Sequence, residues 1–356
     1  MKHLLVDISA HGYGHIAQTA PVVNELVRRA PDLRVTVRSA ASLDFLQSRF
    51  KCAFDHHAVA LDFGMAMVNA VEVDVARSLT NYRDYHRDWD TKVQVAADEM
   101  RALQPDLLFA NVPYLSLAAA QAAQIPAVAM CCLNWADIYR HYAPQNAESA
   151  AIHAQILAAY NSAYTFLKVQ PTMPMSNLSN ARAIAPIAQL GRKQREYLVK
   201  QCGLDASVRL VLVAMGGIDY RLNMEYWPRI QGVRWLIPQA WNIQRDDTID
   251  MEALGMSFSD LLASSDAVLT KPGYGTFAEA ACSGVPVLYV SRGEWPEQPY
   301  LVEWLSRNGM CREVSQQQLQ NGELEATLHG LWQMKRPPVP DASGVTEAAD
   351  LLQQWL

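Results

Sequence analysis

The imidazole of His15 stands directly behind two glycines, in the run His11-Gly12-Tyr13-Gly14-His15-Ile16-Ala17. A neutral imidazole can take the proton of a hydroxyl as that hydroxyl attacks, and glycines let a bound group come close to the backbone. A second set of turns lies in the other half of the chain: Met215-Gly216-Gly217 follows one apolar run, and Lys271-Pro272-Gly273-Tyr274-Gly275-Thr276 follows another. Each reads as the end of a strand running into a glycine turn, and the second continues into a helix start. Such turns offer backbone amides, and the positive end of a helix dipole, to an anion. Gly216, Gly217, Gly273, Gly275 and Thr276 are therefore candidates to hold a diphosphate, with the Lys271 ammonium adding a full charge.

Glu279 has two readings. With Thr276 it has the spacing of a capping box, which would satisfy the first amides of a helix. Alternatively its carboxylate accepts from the two ribose hydroxyls of a nucleotide, away from the phosphates that would repel it. After the next apolar run comes Ser291-Arg292-Gly293-Glu294-Trp295-Pro296-Glu297-Gln298-Pro299. Arg292, Glu297 and Gln298 thus stand on the same rim, the last two positioned to hydrogen-bond a hexose; the plainer reading is an ordinary exposed loop. Gly12-x-Gly14-x-x-Ala17 also satisfies the loose dinucleotide fingerprint, and Arg38 after the second strand would suit the phosphate of NADP. An NADP-dependent oxidoreductase leaves the second set of glycine turns unexplained. His11 and His15 are spaced for zinc only on a helix, and the glycines between them favour a loop, so no metal is expected.

Two series of elements position these residues. Leu4–Ile8, Ile16–Arg29, Leu33–Val37, Leu107–Ala110 and Ala127–Met130 alternate strands with helical stretches, which implies parallel pairing through right-handed crossovers. A second series follows: Leu210–Ala214, Val233–Ile237, a helix near Phe258–Leu262, Ala267–Thr270, a helix from about Phe277, and Val287–Val290. The expected fold is α/β, with two Rossmann-like doubly wound domains at residues 1–170 and 192–340. A Pro- and Ser-rich linker is expected at 171–191, and a last helix from about Val345, within 341–356, packing back on the first domain. That helix carries Ala348, Ala349, Leu352 and Trp355 on one stripe. Between Asp55 and Trp89 the pattern lapses, and irregular structure facing a substrate is expected there. Its charge run from Arg83 to Asp88 reads equally as a solvated face. Tyr82, Tyr85, Trp89 and Trp135 are either a platform for a sugar or aglycone or, more commonly for such residues, buried core.

Composition narrows the classes. In 356 residues, 50% are hydrophobic and 19% charged, which excludes disorder, and a net charge of −6 supplies no basic field for nucleic acid. Asp7 interrupts the only apolar run at the start, so a signal peptide is not expected, and no stretch is long and charge-free enough to span a bilayer. A cytoplasmic protein with six reduced, buried and inert cysteines follows as the expectation.

Together, Gly12-Tyr13-Gly14-His15, Lys271-Pro272-Gly273-Tyr274-Gly275-Thr276, Glu279 and Glu297-Gln298 resemble the GT-B glycosyltransferases. The nearest resemblance is to the lipid-intermediate N-acetylglucosaminyltransferases and the UDP-glycosyltransferases. The stretch from about Leu262 to Gly309 is also similar to the glycosyltransferase-like half of plant L-arabinose kinase proteins. The resemblance implies two domains facing across a cleft and an inverting, metal-independent transfer from a UDP- or dTDP-sugar, with no other cofactor. It also implies that Gly216, Gly217, Gly275 and Thr276 hold the diphosphate, Glu279 the ribose and Glu297 with Gln298 the transferred sugar, and that His15 is the general base; Gly12, Gly14, Lys271, Gly273 and Arg292 are further candidates to bind the donor. Some relatives orient this histidine with an aspartate where the present chain has Asn111. An amide can fix the tautomer but supplies no charge, so a carboxylate of the irregular segment, Asp62 or Asp74, is the alternative base. A nucleotide-sugar hydrolase or epimerase, or a non-catalytic nucleotide-sugar binding module, are the alternative functions. Neither sugar nor acceptor is legible.

Overall fold

The computed structural model describes residues 1–69, 72–216 and 221–356, which form two compact units. The first comprises Met1–Val68, Val73–Ile187 and Ala342–Leu356. Its strands are β1 (His3–Ile8), β2 (Arg34–Arg38), β3 (Asp55–His57), β6 (Leu107–Asn111), β7 (Ala127–Cys131), β8 (Thr165–Val169) and β9 (Ala181–Ile184), while β4 (Met67–Asn69) and β5 (Glu72–Val73) pair separately. The seven-stranded sheet runs β3-β2-β1-β6-β7-β8-β9, parallel throughout. Every residue of β1, β6 and β7 is buried, as a parallel sheet covered on both faces requires, and their apolar runs accordingly do not alternate. Helices α1 (Gly14–Arg29), α2 (Leu43–Arg49), α3 (Val75–His86), α4 (Trp89–Leu103), α5 (Tyr114–Ala123), α6 (Trp135–Tyr142) and α7 (Ala147–Asn161) complete the unit with a C-terminal helix, Gly344–Gln353.

Three expectations need correction here. The segment read as a linker at 171–191 contributes β9, which pairs with β8 as the sheet's edge. An edge strand of four residues leaves almost no periodicity to read, and its prolines lie outside it. The irregular stretch is shorter than expected, because its latter half is α3, whose N-terminal amide at Arg77 bonds the side chain of Asp74. Thus Asp74 caps a helix. Arg38 is not available to a phosphate: its guanidinium forms two hydrogen bonds to Asp7, at 2.8 and 2.6 Å, and both side chains are buried. The C-terminal helix packs on α1, where Arg29 pairs with Asp350, and buries Ala348, Ala349 and Leu352. Trp355 lies past the helix end and stacks on Tyr164, with ring centroids 4.2 Å apart.

The second unit comprises Asn69–Glu72 and Ala188–Asp341. Strands β10 (Arg209–Ala214), β11 (Val233–Ile237), β12 (Thr248–Asp250), β13 (Ala267–Thr270), β14 (Val287–Val290) and β15 (Cys311–Val314) form a parallel sheet in the order β12-β11-β10-β13-β14-β15. Around it lie α8 (Arg195–Gln201), α9 (Phe258–Ser264), α10 (Tyr274–Ser283), α11 (Gln298–Asn308), α12 (Gln316–Asn321) and α13 (Glu325–Trp332). Val211, Trp235, Leu269 and Leu288 belong to its core. Each sheet grows outward from its first strand in both directions. The connections therefore reverse between β1 and β6 in one unit and between β10 and β13 in the other, and a crevice for ligands opens beyond the carboxyl ends of the strands at such a reversal. Among the described residues no helix is long and apolar enough to cross a membrane.

Candidate functional site

His15 and Asn111 meet at the reversal point of the first sheet. Ile8 at the end of β1 is in register with Asn111 at the end of β6, and the chain leaving β1 turns through Gly12, at φ +85°, into α1. His15, in the first turn of α1, is 5% exposed, and its Nδ1 lies 2.9 Å from Asn111 Oδ1. The amide of Asn111 is itself oriented, because its Nδ2 donates to Gln18 Oε1 at 3.1 Å, and Gln18 Nε2 in turn donates to Cys132 Sγ. In the neutral ring, an acceptor at Nδ1 places the proton there and leaves Nε2 with its lone pair. The geometry is that of a proton acceptor with a fixed tautomer.

Two acidic groups accompany the imidazole. Cys131 Sγ, at the end of β7, lies 3.7 Å from the same Nδ1. Asp62 accepts from Ser9 Oγ at 2.8 Å and from Trp135 Nε1 at 2.9 Å, and the Trp135 ring is 5.8 Å from that of His15. Burial works to lower the pKa of His15, but Cys131, Asn111 and Asp62 outweigh it, and the net shift is upward. Burial raises Cys131; the Cys132 hydrogen bond and the His15 charge reverse that and bring it below an ordinary thiol. Burial pushes Asp62 up against the pull of His15, Ser9 and Trp135. The six cysteines are thus not uniformly inert or buried: Cys52, Cys202 and Cys311 are half-buried, and Cys131 touches the site.

Gly64 closes this cluster. At φ +59°, a Cβ there would stand 2.7 Å from the His11 ring and 2.8 Å from Trp135. The part of the irregular segment that carries Asp62 is therefore packed onto the histidine turn. Of the aromatic residues, Tyr82 and Trp135 are fully buried and Tyr85 donates to the Leu61 carbonyl at 2.9 Å. Trp89 stacks on His86 at 4.9 Å; Tyr82 and Trp135 are thus core, while Tyr85 and Trp89 are half-buried at its edge. In the charge run, Arg83 pairs with Glu148 and Arg87 with Asp84 on the surface, while His86 turns inward.

The second unit repeats the placement. Ala214 at the end of β10 is in register with Thr270 at the end of β13. Gly216 leaves β10 at φ +86°, and a Cβ on it would lie 3.2 Å from Lys271 Cε and 3.4 Å from Nζ, so the missing side chain is what admits the lysine. Burial, then the positive charge of Arg292, pushes Lys271 down to about 7 against the opposing pull of Glu297. Gly217 lies outside the described residues. Helix α10 starts a turn earlier than expected, with Gly273 at its N-cap and no side chain capping it. The Phe277 N–H makes the first intrahelical bond, to the Gly273 carbonyl, which leaves Gly275 and Thr276 in the turn whose amides precede the helix's own ladder. Thr276 and Glu279 therefore form no capping box. Glu279 sits on the next turn of α10, 1% exposed.

The loop after β14 is not an ordinary exposed one. Arg292, Trp295 and Glu297 are buried; the Arg292 guanidinium lies 4.4 Å over the Trp295 ring, and Trp295 Nε1 donates to Glu297 Oε2 at 3.0 Å. Gln298 opens α11 and its Oε1 accepts from the Arg292 amide at 2.7 Å. One polar atom of each predicted sugar ligand is thus used to shape the loop.

No protein-family model matches the chain. It is 23% identical over 363 residues to L-arabinokinase of Arabidopsis thaliana, an alignment that covers 99% of this chain and 34% of that protein. The chain thus spans about a third of the length of the curated relative it matches. Among solved structures it is similar to the glycotransferase of kitacinnamycin, with a TM-score of 0.65 at 16% identity over 99% of both chains. It is also similar to the glycosyltransferase VinC in complex with dTDP, with a TM-score of 0.58 at 18% identity over 99% of this chain and 94% of that one. The fold is that of the GT-B glycosyltransferases. At the two reversal points stand His15 with Asn111 in the first unit and Lys271 with Gly216 in the second.

Proposed function

We propose that the chain transfers a glycosyl group from a UDP- or dTDP-sugar to an acceptor hydroxyl, with inversion and without a metal or further cofactor. The observation that carries this reading is the His15–Asn111 contact at 2.9 Å, which fixes Nδ1 as the protonated nitrogen of a histidine at a sheet reversal point. The Nε2 lone pair takes the acceptor's proton as its oxygen attacks the anomeric carbon; the bond from that carbon to the diphosphate breaks on the opposite face, and the configuration inverts. General-base assistance of this kind contributes about 10² to 10⁴ in rate. The leaving diphosphate gathers charge, which the first-turn amides of α10 and the Lys271 ammonium stabilise in place of a cation. Glu279 accepts from the ribose, and Glu297 and Gln298 orient the transferred sugar.

The donor type is supported by the dTDP held by VinC, which shares the fold. Incubation with a panel of UDP- and dTDP-sugars plus candidate acceptors, read by release of nucleoside diphosphate and by the anomeric configuration of the product, tests the proposal. One donor is expected to turn over in the presence of chelator and to yield the inverted product; a retained configuration or a strict metal requirement refutes it. Donor breakdown that is as fast without any acceptor favours a hydrolase or epimerase.

A further inference from the structure

The proposed base lacks the charged partner expected of it. Asn111 orients His15 but cannot stabilise the imidazolium that forms when Nε2 takes a proton, and such a cation buried without compensation is costly. The titratable groups around the ring are few. Cys131 approaches from the end of β7, at 3.7 Å from Nδ1. Asp62 acts on the ring by charge without a hydrogen bond to it, its two oxygens accepting from Ser9 Oγ and Trp135 Nε1. His11 lies edge-on to Trp135 at 5.2 Å. Cys132 follows Cys131 and accepts from Gln18. Tyr160, buried below, donates to the Val112 carbonyl at 2.9 Å. Among the described residues, only Cys131 has an ionisable atom in contact with Nδ1.

We infer that Cys131 is a positioning residue whose thiolate supplies, at Nδ1, the counter-charge to His15 that a carboxylate at position 111 would otherwise provide. The Nδ1 proton is directed at Asn111 Oδ1 and shared with Cys131 Sγ, so one group sets the tautomer and the other the charge. The active form is the neutral imidazole beside the thiolate. Uptake of the acceptor proton at Nε2 turns it into an ion pair, with no change in the sulfur's oxidation state and no covalent step. Because the pair titrates as a unit, the base becomes competent only as pH rises through the upper of its two steps.

This inference rests on the reading of His15 as a base, and its test does not require turnover. In the full chain labelled with ¹⁵N-histidine, the His15 resonance, assigned by its loss in His15→Ala, is titrated against pH. Cys131→Ser keeps the shape of the side chain with a slightly smaller atom and removes the ionisable sulfur. It is expected to lower the His15 midpoint by about one unit or more, since loss of an adjacent opposite charge disfavours the charged form. Asn111→Asp added to Cys131→Ser is expected to bring the midpoint back to at least the wild-type value, and Asp62→Asn alone to move it less than Cys131→Ser does. Cys131→Ala serves as a second variant, and far-ultraviolet circular dichroism checks that each is folded. A midpoint unchanged by both Cys131 variants, a larger shift from Asp62→Asn, or no recovery in the double variant overturns the inference. With an active donor and acceptor, the acid limb of kcat/KM should move with the midpoint. Should no donor turn over while the midpoints behave as stated, the charge pairing stands and the transferase reading falls.

Discussion

Lys271 is the residue whose protonation should report the arrival of a diphosphate. Burial and the neighbouring Arg292 hold it at about 7, so near neutrality about half of the side chains are uncharged. The sign follows from the depressed value: below it the ammonium is already present, and above it a proton must be acquired for the charge to form. A nucleotide-sugar carries two ionised phosphates that do not titrate near neutrality, so any proton taken up on binding belongs to the protein. If bound phosphate returns Lys271 to its ordinary range, binding at pH 8 should take up about 0.9 proton, and affinity should fall towards tenfold per pH unit above 7. Calorimetric titration of UDP- and dTDP-sugars in buffers of differing ionisation enthalpy measures that proton directly. Lys271→Met should abolish the buffer dependence and weaken binding, since it removes the charge and keeps the apolar stem over Gly216. A wild-type titration with no buffer dependence at pH 8, or a Lys271→Met variant with the same proton uptake, refutes the reasoning.

Gly64→Ala should lower the melting temperature by several degrees. The left-handed backbone alone costs a residue with a Cβ about 1–2 kcal/mol, each kcal/mol is worth roughly 2–4 °C in a unit of this size, and the new atom also strikes the His11 and Trp135 rings. Differential scanning calorimetry measures it, and an unchanged midpoint would show that the segment carrying Asp62 is not packed as described. Arg38→Met should be more severe, because it leaves the buried Asp7 carboxylate unpaired, at a cost of about 3–5 kcal/mol. Asp7→Leu combined with Arg38→Met should recover most of that loss in the same assay; a single variant as stable as wild type would mean the pair is not buried.

The sheets were legible in the sequence because parallel strands covered on both faces are written as plain apolar runs: Leu4–Ile8 and Leu107–Ala110 needed no alternation to be found. The glycine turns were legible for the same local reason, since each follows such a run directly. Contacts between distant segments were not. Thr276 and Glu279 have capping-box spacing, yet Gly273 starts the helix one turn earlier and the box never forms. Arg38 looked like a phosphate ligand until Asp7, its in-register neighbour across the sheet, accounted for its charge. Gly64 and Cys131 had no local signal at all: one matters because two rings arrive from elsewhere, the other because β7 ends beside β6 and so brings its sulfur to His15. Asn111 was reached through the resemblance, and its hydrogen bond to His15 is a feature of strand order that no spacing in the chain reveals.

The most direct test of the account is His15→Ala measured in two assays on the same preparation: calorimetric affinity for the donor sugar nucleotide, and kcat/KM for transfer to the acceptor. The expected result is a fall of about 10² to 10⁴ in kcat/KM with donor affinity preserved. Transfer that persists at the wild-type rate would contradict it.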